Sequence, residues 1–418
     1  MRLTAPGKIV VLLLALGFAI GGFRLWSRSR LGQDLAPGTP LSGSNLGAPT
    51  AIVGSAGAAP RSGTDANSGA GASVPENANA VTLLTSKSSK GWLLNQIEKF
   101  NAQQASAGGS LKVVPQFVET REAMHGILEG TIKPVLYAPS TTVWAQRLQS
   151  AWKEKHGSDI LNMDDAASYR VYLKTPLVLV TTQDKARFLR PLLGRPGGWQ
   201  KLHDLSTGKI KAPWGKWQWS HADPLTANSG TMTLGAILAD YANASAQDDL
   251  AAVARSQKFR SYVRELEGGL KFDLPAQSGS SALFAAFVAD PSRYDCITTY
   301  ESNALAAAAK NPALAVIYPQ PTVVSESVSA VLSTEWVSPQ QKKVAQDFLQ
   351  FLGSPDSIRE GVTEGQRPIA SSDTTQAARL SGLSAQGFNQ SFTSVELPPY
   401  EALNAAAFNW KQDVGSKS

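Results

Sequence analysis

Apolar residues fall into short runs along the chain, and the runs alternate between two periods. Val81–Thr85 (VTLLT), Leu111–Phe117 (LKVVPQF), Val135–Ala138 and Leu177–Thr181 (LVLVT) are short and nearly continuous, the pattern of buried strands. Between them, Lys90–Phe100 places Trp92, Leu93, Ile97 and Phe100 at helical spacing. Glu122–Glu129 repeats this with Met124, Ile127 and Leu128, and Trp144–Lys155 reads as a third helix. The alternation resumes at Ile210–Ala212, Thr231–Ala242, Phe259–Leu266, Ser281–Ala289, Cys296–Tyr300 and Ala313–Tyr318. A late strand, Ser327–Ser333, precedes a helix at Pro339–Leu352, with Ser338 as N-cap and Pro339 in the first turn. This order predicts an α/β fold with a mainly parallel sheet covered by helices on both faces.

Two stretches at the N-terminus stand outside that pattern. Ile9–Phe23 is wholly apolar, with Lys8 before it and Arg24 after it. It resembles the apolar region of a secretory signal and is short for a span, which needs about 20 residues. No convincing small-x-small cleavage site follows it, since the run ends at Gly21-Gly22-Phe23 and meets Arg24, Leu25 and Trp26, and no cysteine stands there to carry a lipid. We read 1–8 as a basic N-terminus and 9–26 as an uncleaved, single-pass signal anchor, with Trp26 and the arginines at the interface. Residues 27–80 follow as a low-complexity linker, and over 36–80 Ala, Gly, Ser, Pro, Thr and Asn dominate. Such a segment buries too little apolar surface to offset its ordering entropy. As a tether it reaches roughly 35–40 Å.

Composition narrows the chemistry. The chain has 418 residues and a formal charge of +6, of which Arg2, Lys8, Arg24, Arg28 and Arg30 supply +5, leaving +1 for the rest. No basic face for nucleic acid is supported. One cysteine, Cys296, excludes an intrachain disulfide, and four histidines leave little for a metal centre. No dinucleotide, phosphate-loop or nucleophile-elbow motif is present, so no cofactor is expected. His221-Ala222-Asp223 precedes Pro224 and reads as a turn rather than a base or ligand pair.

In an open parallel sheet, ligands bind beyond the carboxyl ends of the strands. The loops expected there share a character: Thr85–Gly91 (TSKSSKG), Ala138–Thr142 (APSTT), Asp223–Gly230 (DPLTANSG), Ser278–Ser280 and Tyr300–Asn303 (YESN). Each opens a helix with hydroxyls, amides and free backbone N–H groups, suited to a polar or anionic ligand. Each is also an ordinary capping sequence.

Four stretches carry a family resemblance: VTLLTSKSSKGWLLNQIEKFN, HADPLTANSGTMTLGAIL, YDCITTYESNAL and the final VSAVLSTEWVSPQQKKVAQDFLQFLGSPDSIREGVTEGQRP. Residues 81 to about 416 resemble a type 2 periplasmic substrate-binding protein of the bacterial extracellular solute-binding group, nearest its molybdate/sulfate-binding members. The resemblance implies a two-lobed type 2 periplasmic binding protein fold. Lobe 1 would be 81–179 with a return segment 319–416, and lobe 2 would be 180–318. It also implies ligand contacts at Ser86, Ser88, Ser89, Ser140 and Thr141 from lobe 1. From lobe 2 it implies Asn228, Ser229, Gly230, Thr231, Tyr300 and Glu301. A carboxylate in a water-excluding cleft disfavours a doubly charged oxyanion. Either Glu301 points away, or the ligand carries a hydroxyl or an amine.

No constellation demands catalysis, and the chain is read as a non-enzyme. The first functional reading is capture of a small-molecule or oxyanion ligand for an ABC-type permease, with the folded part outside the inner membrane. The second is a sensor or assembly factor for another membrane complex; the third is a hydrolase or lyase. Trp214, Trp217 and Trp219 leave a further alternative, a carbohydrate or cationic organic ligand stacked on aromatic rings.

Overall fold

A computed structural model describes residues 80–86, 90–271, 274, 279–369 and 382–415. The expected anchor at 9–26 and all of the linker before Ala80 lie outside the described residues. Among the described residues no helix is long and apolar enough to cross a membrane.

The fold opens with β1 (Ala80–Thr85), α1 (Lys90–Ser106), β2 (Lys112–Phe117), α2 (Thr120–Glu129), β3 (Leu136–Ala138) and α3 (Thr142–His156). β1 lies between β2 and β3, parallel to both. Pro115 is tolerated because β2 is an edge strand. The long strand β4 (Tyr169–Thr182) then leaves this sheet and enters a second one.

The second sheet is bordered by α4 (Gln183–Leu193), α5 (Gly198–Ser206), β5 (Trp219–Ser220), α6 (Asn228–Ala244), α7 (Leu250–Arg255) and α8 (Gln257–Leu266). It continues through α9 (Ser280–Ala289), β6 (Cys296–Tyr300), α10 (Glu301–Lys310) and β7 (Leu314–Ile317). Its strand order is β7-β4-β6-β5. The chain returns by β8 (Val324–Val331), antiparallel to both β3 and β4, then α11 (Pro339–Leu352), α12 (Pro355–Thr363) and β9 (Arg367–Pro368). Each sheet therefore forms one lobe, and the antiparallel pair β4 and β8 joins them.

The sheets are mixed rather than mainly parallel. β1 with β2, β1 with β3, and β5 with β6 are parallel, while every pairing of β4 is antiparallel. The reason is the double crossing: a chain that enters and leaves a lobe through adjacent strands must run them in opposite directions. Ile210–Ala212 forms no strand; Ala212 makes only an isolated bridge to Gly215, across a turn at Pro213.

Alternation of side chains along the second half of β4 explains the unbroken apolar run Leu177–Val180. Leu177 and Leu179 enter a core with Trp199, Trp219 and Ile237 on one face of the second sheet. Val178 and Val180 enter another, with Phe287, Ile297 and Leu305, on the opposite face. The first lobe repeats this, with Val81 and Leu83 on one side and Leu84 on the other. α11 starts as expected: Ser338 Oγ accepts from Gln341 N and Gln341 Oε1 accepts from Ser338 N, a complete capping box.

The last helix departs from expectation. α13 (Tyr400–Asp413) sets Ala402, Ala406, Ala407 and Trp410 into the second lobe's core, so the segment 319–416 does not return wholly to lobe 1. Its first turn still reaches lobe 1. Tyr400 packs edge-on against Trp144 at 5.6 Å, and Arg121 donates to Asn404 Oδ1 at 2.6 Å.

Candidate functional site

A cavity of about 290 Å³ lies between the lobes. Lobe 1 contributes Thr85, Trp92 and Ser140, the crossing strands contribute Tyr172, Thr175 and Ser325–Ser329, and lobe 2 contributes Tyr300, Ser302 and Asn303. Glu364 and Gln366, just after α12, complete one side.

Strand alternation builds most of this wall. Ser325, Ser327 and Ser329 recur at every second residue of β8, a polar stripe that alternates with Glu326 and the buried Val328 and Ala330. Ser325 donates to the carbonyl of Ser140 at 2.6 Å, and Ser327 donates to Gln366 Oε1 at 2.9 Å. Trp92 is fixed by donation of Nε1 to Ser357 O at 2.7 Å and packs on Tyr172 at 6.0 Å. The Tyr172 hydroxyl is buried and makes no well-formed hydrogen bond, although Ser329 is near enough to favour its ionisation slightly against the dominant effect of burial.

Two carboxylates border the cavity. Glu326 Oε2 accepts from the backbone N–H of Thr142 at 3.1 Å and from its hydroxyl, so it caps α3 from outside the helix. Glu364 Oε1 accepts from Asn95 Nδ2 at 3.0 Å. Burial, and less strongly the charge of Glu360, raise the Glu364 pKa. Gly91 admits this carboxylate: a Cβ there would stand 2.7 Å from Glu364 Oε2.

Of the residues expected from sequence, Ser140 and Tyr300 line the cavity. Ser86 lies just behind, its hydroxyl 3.2 Å from that of Ser140, which is also 3.3 Å from Thr120. Thr141 is buried with its hydroxyl unpaired. Ser88 and Ser89 lie outside the described residues. The α6 quartet sits elsewhere. Asn228 accepts from Trp144 Nε1 at 2.9 Å and donates to the Tyr300 hydroxyl at 3.1 Å, tying the lobes together. Ser229 pairs with Ser280 at 2.6 Å, and Thr231 donates to Pro224 O at 2.7 Å. Gly230 is required by close packing, since a Cβ would fall 2.0 Å from Ala222 O. None of these four borders the cavity.

Glu301 is fully buried and points away from the cavity. Arg367 grips both its oxygens, at 2.6 and 2.7 Å, and Tyr318 donates its hydroxyl to the same carboxylate. Burial opposes the Arg367 charge, but Glu301 outweighs this and raises its pKa. Arg367 also donates to the carbonyls of Asn389 and Gln390, so one guanidinium joins β9, lobe 2 and the C-terminal segment.

The aromatic alternative fails in its residues. Trp217 and Trp219 are buried in the lobe 2 core, and Trp214 packs edge-on against Phe188 at 5.5 Å. His221 is likewise enclosed, with Nε2 3.0 Å from Glu267. Burial would lower its pKa, but the Glu267 charge and hydrogen bond dominate and raise it. Cys296 is buried, which raises its thiol pKa and keeps it protonated.

Sequence reasoning missed Trp92, Tyr172, Glu326 and Glu364. The signal for part of the wall was present in Ser325-Glu326-Ser327-Val328-Ser329, where four of five residues inside a strand are polar. Glu364 carried no local signal; α12 and β9 bring it to the cleft.

Two lobes joined by antiparallel crossing strands, with a polar cavity between them, define the class of two-lobed periplasmic binding proteins. Residues 81–359 match the family described as bacterial extracellular solute-binding protein, and the chain belongs to that family. No curated protein matches it. Among solved structures, the sulfate-binding protein SubI from Mycobacterium tuberculosis is 18% identical, with a TM-score of 0.52 over 81% of this chain and 99% of that one. A periplasmic thiamin binding protein is 14% identical, with a TM-score of 0.54 over 80% of this chain and 96% of its own. Iron-bound HitA from Pseudomonas aeruginosa is 13% identical, with a TM-score of 0.52 over 80% and 99%. At these identities the likeness is one of fold.

Proposed function

We propose that this chain is a membrane-tethered, extracytoplasmic solute-binding protein. It captures a small polar ligand in the interlobe cavity and presents it to an ABC-type permease. The observation that carries the reading is the cavity itself, enclosed by both lobes and by their crossing strands. The expected apolar anchor at 9–26, N-terminus inside, would hold the domain at the outer face of the inner membrane, with 27–80 as tether. Ligand would be held first by Ser140 and Tyr300, with Ser86 supporting Ser140. Binding free energy of a ligand touching both lobes biases an open–closed equilibrium toward the closed form.

The solved relatives are titled for sulfate, thiamin and iron, so the fold accommodates unlike ligands and does not fix this one. The test has two arms. Protease added to spheroplasts should digest the folded part in the membrane fraction; full protection would place it in the cytoplasm and sink the export reading. Cross-linking in intact cells should capture a polytopic permease. Capture of a signalling or assembly complex instead would favour the sensor reading.

A further inference from the structure

The cavity's chemistry points to a ligand class. We infer that the solute is a neutral polyhydroxylated molecule of about monosaccharide size, an inference that rests on the solute-binding reading above. Among the described lining residues there is no lysine, arginine or histidine, and two carboxylates are present. An oxyanion accepts hydrogen bonds and donates none, so it would meet Glu326 and Glu364 as repulsive neighbours.

A strongly cationic ligand fits less well than a polyol. Much of the Glu326 charge is already answered. Its carboxylate faces the N-terminus of α3, and Lys174 is its cross-strand neighbour on β4. Glu364 is held by the neutral Asn95 side chain rather than by a cation. That leaves acceptors for hydroxyl protons, including the lone pairs of the β8 serines, whose Ser325 and Ser327 protons go to Ser140 O and Gln366, together with the Asn303 amide, which both donates and accepts. At about 290 Å³, the cavity has roughly ten times the share of volume of one liquid water. A tetrahedral oxyanion would leave much of that space wet, whereas a sugar ring with its hydroxyls matches it.

The test is calorimetric titration of the full-length chain in mild detergent with D-glucose, D-galactose, L-arabinose and myo-inositol. Sulfate, molybdate, spermidine and thiamine form the contrasting set. Saturable binding of at least one sugar or inositol is expected. Glu364→Gln keeps shape but removes a charged acceptor, and should weaken binding about tenfold or more with the melting temperature held. Ala306→Trp, at an exposed position of the cavity wall, should abolish binding by filling the site. If only sulfate, molybdate, spermidine or thiamine binds, the polyol inference falls while the solute-binding reading stands. If no compound binds, the polyol inference falls, and the solute-binding reading is judged by the protease and cross-linking tests alone. A sugar that binds both variants as tightly as the parent chain lies elsewhere, and overturns the assignment of this cavity.

Discussion

The first turn of α6 and the serine stripe of β8 use the same side-chain chemistry to opposite ends. Asn228, Ser229 and Thr231 spend their polar groups on Trp144, Tyr300, Ser280 and Pro224, all inside the protein. The β8 stripe keeps Ser325, Ser327 and Ser329 at the wall of a cavity, beside a tyrosine hydroxyl with no full partner. A run of hydroxyls before a helix therefore says little about binding until its hydrogen bonds are traced. What marks the candidate site is a set of polar groups, some with internal partners of their own, that face open space where both lobes meet.

If that contrast holds, substitutions in the α6 region cost stability, and those at the cavity cost affinity. The largest stability effects belong to Arg367→Ala and Gly230→Ala. Arg367→Ala strands the buried Glu301 carboxylate and should cost about 3–5 kcal/mol in urea unfolding. Replacing both partners with methionine should recover most of that loss; no recovery would show that Arg367 acts mainly through the C-terminal carbonyls. Gly230→Ala forces a methyl onto Ala222 O and should cost about 3 kcal/mol or more, read as a lowered melting temperature. Gly91→Ala meets only the mobile end of Glu364, so its stability should barely move while affinity changes.

Next in size is Asp240, near the far end of α6, whose pKa burial raises to about 6. The folded state thus binds this proton more tightly than the unfolded chain does, and ionising the group at neutral pH is destabilising. Stability should rise as pH falls through 6, and Asp240→Asn should stabilise by up to about 3 kcal/mol at pH 7–8. That benefit should shrink to nothing below about pH 4, where both states are protonated; a benefit independent of pH would refute the assignment. A smaller stability loss is expected for Ser229→Ala, about 1 kcal/mol through its bond to Ser280, with unchanged affinity. Should Ser229→Ala weaken ligand binding more than Glu364→Gln, the contrast breaks and the α6 turn is the better site.

Much of the architecture was legible because its elements are strongly periodic. Cys296–Tyr300 and Pro339–Leu352 appear with the expected bounds, and β1, α2 and α9 differ by one or two residues. α1 and β4 run longer than the apolar pattern suggested, since their extensions are held by contacts rather than by hydrophobicity. The docking of α13 was hidden for a related reason. Its alanines and Trp410 announce an apolar face, but not which lobe receives it.

The sequence by itself determined the α/β alternation, because periodicity and capping are local properties of the chain, and its resemblance to solute-binding proteins gave the two-lobed family. Tertiary structure decided which hydroxyls remain open. It consumed Glu301 in a buried ion pair and Asn228 in a bridge between lobes, and it carried Glu364 to the cavity from a distant helix. The physical reason is that a hydrogen-bonding group can bind a ligand only where folding leaves it facing open space with some donor or acceptor capacity to spare.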